Sequence, residues 1–233
     1  MLTVSDLSAG YDESIVLQNV HCRVGRGQVV AVLGRNGVGK TTLVKTLVGL
    51  LKQKEGKVEW NEGDLTGLRP DERAKRGIGY VPQGRDIFGA LTVEENLLLG
   101  LEALPRGSRK RGIPEEVYTW FPVLKEMLHR KGGDLSGGQQ QQLAIARVLV
   151  SKPELIFLDE PMEGIQPSIV QLIQDVIVQI AKQKNVGIVL VEHNVDLAME
   201  CTDYVYVMDR GTIVAEGETS SLNVHDIEKY LVV

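Results

Sequence analysis

The sequence predicts an α/β fold built on a mainly parallel sheet, and three observations carry that expectation. Short apolar runs at Val29–Leu33, Ile78–Val81, Leu155–Leu158, Gly187–Val191 and Tyr204–Met208 have the length and composition of strands covered on both faces. Stretches with helical spacing, Gln139–Val150, Ser168–Lys184 and Asn194–Cys201, separate the later runs, and such alternation implies parallel strands with helices on both faces. Near the N-terminus the pattern differs. Val20, Cys22 and Val24 alternate with His21 and Arg23, and Val58 and Trp60 alternate with Lys57 and Glu59. A period of two marks half-buried antiparallel strands, so an N-terminal antiparallel β-subdomain is expected beside the core sheet.

The remaining elements follow in chain order. After the buried-type strand Val29–Leu33 come glycines and then a helix predicted over Thr41–Leu51, with Leu43, Leu47 and Leu50 at helical spacing. The stretch Thr92–Arg130 has no strand pattern. It offers two helical segments, Val93–Leu101 and Glu115–Leu128, joined by a basic connection at Arg106–Arg111 that reads as a solvated loop. A helical subdomain over approximately residues 90–150, inserted into one unit spanning 1–233, is the expected organisation.

Composition narrows the function. The 233 residues are 43% hydrophobic and 24% charged, which argues against a disordered or fibrous chain. Net charge is −5, a poor match to a nucleic-acid partner, although backbone amides can still bind phosphate locally. No apolar run approaches the roughly 20 residues of a membrane span, and the first residues lack the basic-then-apolar pattern of a secretory signal. Cys22 and Cys201 form no disulfide framework or ligand cluster and are expected to be reduced, buried thiols.

Gly34-Arg35-Asn36-Gly37-Val38-Gly39-Lys40-Thr41 fits G-x-x-x-x-G-K-[ST] between a strand and a helix, the context this phosphate-binding loop requires. Its glycines let successive amides face an anion, and the helix start adds a positive dipole end. Asn36, Gly37, Gly39, Lys40, Thr41 and the following Thr42 are therefore the predicted triphosphate-binding residues, with the Thr41 hydroxyl on Mg²⁺. The apolar run ending in Asp159-Glu160 is the second element. Asp159 is expected to serve the metal and Glu160, turned to the other side by strand alternation, the attacking water.

Leu135-Ser136-Gly137-Gly138-Gln139 is the third: a capped helix start with amides open to an anion. Taken together, the three motifs resemble, in order and over essentially the whole chain, those of the ATP-binding-cassette (ABC) ATPases, a branch of the P-loop NTPases. The resemblance implies further roles. Tyr11 would stack on adenine, Gln83 would sense Mg²⁺ and a membrane partner, and His193 would contact the γ-phosphate. Ser136, Gly137, Gly138 and Gln139 would complete the ATP site of a second ATPase subunit. His21, His129 and His225 do not cluster with His193, so Mg²⁺ is the only metal expected.

The resemblance also implies transmembrane permease subunits, an indirect link to a solute-binding protein, and a place on the cytoplasmic face of the membrane. One segment departs from the family's usual Ser-Ala-Leu-Asp loop after the catalytic acid: here Glu163-Gly164-Ile165-Gln166 precedes Pro167. With the stretch around Ser136–Arg147, this loop is most similar to the urea-importer branch of the branched-chain amino acid transporter ATPases, the amino-acid branch being close behind. A soluble ABC protein of translation or DNA repair is disfavoured because Gln83 to Leu135 holds no sustained heptad. The presence of Glu160 and His193 disfavours a non-hydrolysing regulator.

Overall fold

In the computed structural model, the described residues are 1–104, 107, 109, 112–224, 227, 229 and 230, and their strands sort into two sheets. Arg106, Lys110, Arg111 and His225 lie outside them. Strands β1 (Leu2–Ala9) and β2 (Leu17–Val24) pair antiparallel, β4 (Gln53–Trp60) joins the other edge of β1, and β5 (Gly63–Asp64) follows β4. Val20, Cys22 and Val24 are buried while His21 and Arg23 are exposed, as the period of two requires. This is the expected antiparallel subdomain.

The larger sheet contains β3 (Val29–Leu33), β6 (Ile78–Val81), β7 (Leu155–Asp159), β8 (Gly187–Glu192), β9 (Tyr204–Asp209) and β10 (Thr212–Glu218). Their order is β10-β9-β3-β8-β7-β6, with every pair parallel except the edge hairpin of β9 and β10. Side-chain alternation divides its core. Ile156, Leu158, Ile188 and Leu190 pack with α6 (Gly137–Leu149) and α7 (Pro167–Lys184). Phe157, Val189 and Val191 point the other way, to Leu43 and Leu47 of α1 (Lys40–Leu47) and to the antiparallel sheet. Ala31, Leu33, Val205 and Val207 join Val195 and Ala198 of α8 (Val195–Met199) in a third cluster. All five residues of β3 and all five of β7 are buried, as their apolar runs predict.

Several helices are shorter than their spacing predicts, two of them for a visible reason. The first stops at Leu47 because Gly49 turns left-handed (φ 85°), leaving Leu50 57% exposed rather than on a buried face. The segment Glu115–Leu128 breaks into α4 (Glu116–Trp120) and α5 (Pro122–Glu126). Pro122 cannot donate to the first helix, and Phe121 before it is driven out of helical geometry (φ −131°, ψ 73°). With α3 (Val93–Gly100), which replaces the predicted Val93–Leu101, these segments lie between β6 and β7, where the described residues hold helices and one isolated bridge, Thr92 to Lys131. The edge strand β10 alternates half-buried and exposed residues and escaped prediction because it carries little apolar signal.

Candidate nucleotide site

The glycine loop runs from the end of β3 to the start of α1, whose N-cap is its last glycine, Gly39. Gly39, at the N-cap, has φ 112°, a conformation closed to side chains, and a Cβ there would lie 3.1 Å from Leu17 Cδ2. No side chain caps this helix and no acid stands in its first turn, so its amides remain available to an anion. Lys40 is only 5% exposed. Its Nζ donates to the Gly34 and Arg35 carbonyls at 2.7 and 3.1 Å and stands 3.6 Å from Glu160 Oε1. Burial lowers its pKa below the ordinary lysine value, while Glu160, Asp159 and Glu192 pull it back up. Asn36, Gly37, Gly39, Lys40, Thr41, Thr42, Gln83 and Glu160 line one cavity of about 380 Å³, together with Val16.

Strand pairing delivers the acids. Asp159 ends β7 opposite Val191 of β8, and the Thr41 hydroxyl donates to its Oδ1 at 3.4 Å. Its Oδ2 is buried with no hydrogen-bond partner, and burial raises this carboxyl above the usual range. A hydroxyl, an amide and an orphaned carboxylate oxygen are hard donors of the kind Mg²⁺ prefers, so the residues present fit that ion. Glu160 lies outside the strand. Its backbone is left-handed (φ 48°), so strand alternation does not set its direction, contrary to the expectation from the sequence. Gln83 Nε2 donates to Glu160 Oε2 at 2.9 Å and to Glu163 Oε2 at 3.0 Å, while His193 Nδ1 stands 3.7 Å from Glu160 Oε1. Glu163 carried no recognisable signal in the sequence, because its meeting with Gln83 is made by the fold.

Two groups of predicted residues lie elsewhere. Ser136, Gly137, Gly138 and Gln139 line a separate cavity of about 540 Å³ that shares no residue with the first. There Ser136 caps α6 through a reciprocal box: its hydroxyl accepts from the Gln139 amide at 3.4 Å, and its own amide donates to Gln139 Oε1 at 2.9 Å. The Arg85 guanidinium lies against Gly137, where a Cβ would come within 3.0 Å of Nη1. Tyr11 is 46% exposed and does not line the glycine-loop cavity, its carbonyl accepting the Ser14 amide at 2.8 Å. Among the described residues no group of three histidines, cysteines or acids could hold a metal by itself. Cys22 and Cys201 are both buried free thiols.

A phosphate loop opening a helix beside an acid-terminated parallel strand defines a P-loop nucleotide-binding ATPase. Comparison with known proteins narrows the class: the ABC transporter family matches residues 17–163, and the chain belongs to that family. It is 37% identical over 226 residues to a probable branched-chain amino acid transport ATP-binding protein LivF of Archaeoglobus fulgidus, spanning 97% of this chain and 95% of the relative. It is equally 37% identical over 222 residues to the high-affinity branched-chain amino acid transport ATP-binding protein BraG of Pseudomonas aeruginosa, spanning 95% and 94%. A dimeric post-hydrolysis structure of the ATP-binding cassette MJ0796, bound to ADP and Pi, superposes with a TM-score of 0.83 at 25% identity, covering 95% of this chain and all of that one. The fold is that of the ABC ATPases, as the sequence predicted, and the chain is an ATP-hydrolysing transporter subunit.

Proposed function

We propose that this chain energises an ABC importer of the branched-chain amino acid type, working as one of two ATPase subunits beneath transmembrane permeases. The observation that carries the reading is 37% identity, over nearly the full length, to each of two relatives that both bear that transport name. The urea branch, which the loop Glu163–Gln166 and the stretch around Ser136–Arg147 resemble most, has no support from those relatives, and the amino-acid branch takes its place. No helix among the described residues is long and apolar enough to cross a membrane, which suits a subunit held at the cytoplasmic face by its permease.

In this reading the whole chain acts as a single cassette. The glycine-loop amides, Lys40 and Thr42 hold the triphosphate, and Tyr11 stacks on adenine from outside the cavity. Thr41, Asp159 and Gln83 would hold Mg²⁺, which when bound neutralises phosphate charge. Glu160 orients and deprotonates water, His193 approaches the γ-phosphate, and Ser136–Gln139 serve the partner's nucleotide. Chemistry of this kind depends on positioning and electrostatics.

Glu160→Gln tests the site: ATP still binds, while turnover falls by about 10²–10⁴, the usual cost of losing a general base. Turnover within a factor of two of wild type at saturating ATP would remove Glu160 from the role. The cargo needs a cellular arm. Deleting the gene should abolish uptake of labelled leucine and leave urea uptake intact, and the opposite pattern would restore the urea reading.

A further inference from the structure

Glu192 ends β8 directly before His193, is 1% exposed, and has no assigned task. Among the described residues no lysine, arginine or histidine forms an ion pair with it. The charged and titratable groups that face it are Glu160, which repels its charge, Lys40, which favours it, and Cys201, whose thiol feels it. What its carboxyl does touch is backbone. Oε1 accepts the amide of Met162 at 3.4 Å, and the His193 amide also favours its charged form.

Met162 stands two residues after Glu160 in a turn closed by the Glu163 amide on the Glu160 carbonyl at 3.3 Å. The Glu160 amide is itself tied to the Val191 carbonyl at 3.0 Å. Two residues of that turn therefore hang on the last two residues of β8: Glu160 through main chain, and Met162 through the Glu192 side chain. A buried acid without an ion-pair partner opposes folding when charged, so its presence beside this turn points to work done there.

We propose that Glu192 is a positioning residue for ATP hydrolysis, its buried carboxyl oxygen holding the Met162 amide and so fixing the turn that aims Glu160. The inference rests on the reading of Glu160 as the group that orients water. Reach, rather than charge, is the property that matters, which makes two conservative variants opposite in effect. Glu192→Asp keeps the charge and withdraws the oxygen by one methylene, whereas Glu192→Gln keeps the reach and one acceptor.

Both proteins are purified in full length, and ATP affinity is measured by equilibrium binding beside kcat and KM. Glu192→Asp is expected to lose at least tenfold in kcat, the scale of a sub-ångström to 1 Å displacement at a reacting group, with ATP affinity within twofold. Glu192→Gln is expected to retain at least a third of wild-type kcat. Full turnover in Glu192→Asp, equal losses in both variants, or parallel losses of kcat and ATP affinity would each overturn the proposal. Glu160→Gln run alongside separates the two levels: full turnover there overturns the reading of Glu160 and this proposal with it. A slow Glu160→Gln beside a fully active Glu192→Asp overturns the positioning role alone.

Discussion

At the scale of one residue, Glu192 sets catalytic geometry against stability. Burial, opposed by backbone amides and Lys40, lifts its carboxyl from the ordinary 4.5 to about 7. A carboxyl whose folded pKa is raised contributes its full stability below the ordinary value, and that contribution is lost as pH rises through 7. The span corresponds to about 3 kcal/mol at most between the two limits. Glu192→Gln removes the ionisation, so its melting temperature should exceed that of wild type at pH 8, with the gap closing as pH falls toward 5. A gap independent of pH in thermal melts would show that charging Glu192 does not oppose folding. Glu160 shows the same tension in its backbone, since a left-handed glutamate is held only because the turn and the β8 carbonyl determine it.

Among the elements, α1 depends on a neighbour for its end. The helix α2 (Pro70–Lys75) contributes Arg73, 3% exposed, whose guanidinium donates to the carbonyls of Thr46 and Leu47 at 3.0 and 2.6 Å. It also reaches the Leu65 and Leu68 carbonyls at 2.8 and 3.1 Å. One planar fork thus caps the C-terminus of the phosphate-loop helix and pins the following loop. Arg73→Ala strands these buried carbonyls and should cost about 2–4 kcal/mol, read as a lower urea midpoint at unchanged slope. Arg73→Lys, with a point charge in place of the fork, should recover less than half of the loss. The elements that the sequence disclosed were those specified by neighbouring residues: the buried run Val29–Leu33, the glycine loop, the strand ending at Asp159, and the box linking Ser136 to Gln139. What it hid depended on tertiary placement. Glu163 reaches Gln83 across 80 positions and Glu192 reaches Met162 across 30, so no local spacing records either pair. Pro122, by contrast, was a visible breaker whose effect the apolar spacing of Glu115–Leu128 concealed.

For the whole molecule, the decisive fact is that the two helix starts proposed to bind phosphate open into separate cavities. The glycine loop, Lys40 and Thr41 gather around one, and Ser136–Gln139 line the other with Gln166 and Ile169. Within one chain the second set contributes nothing to the first, so under the proposed reading a nucleotide at the glycine loop would leave its γ-phosphate open on one side. A second subunit can supply that missing wall, and a triphosphate bridging both sets would then hold the pair together where a diphosphate falls short. Glu160→Gln chains should therefore self-associate, or pair with a related subunit, in MgATP but not in MgADP, as read by sedimentation. Gly137→Asp is the sharper probe. Its new carboxylate would stand beside the Arg85 guanidinium, pair with it, and occupy the α6 start with negative charge. Introduced into the Glu160→Gln chain, it should abolish ATP-dependent pairing while single-chain ATP affinity changes less than threefold, because the two cavities share no residue. A sedimenting mass that ignores nucleotide, with both subunits present, would reject the composite site, and loss of single-chain ATP binding in Gly137→Asp would show that the cavities are not independent.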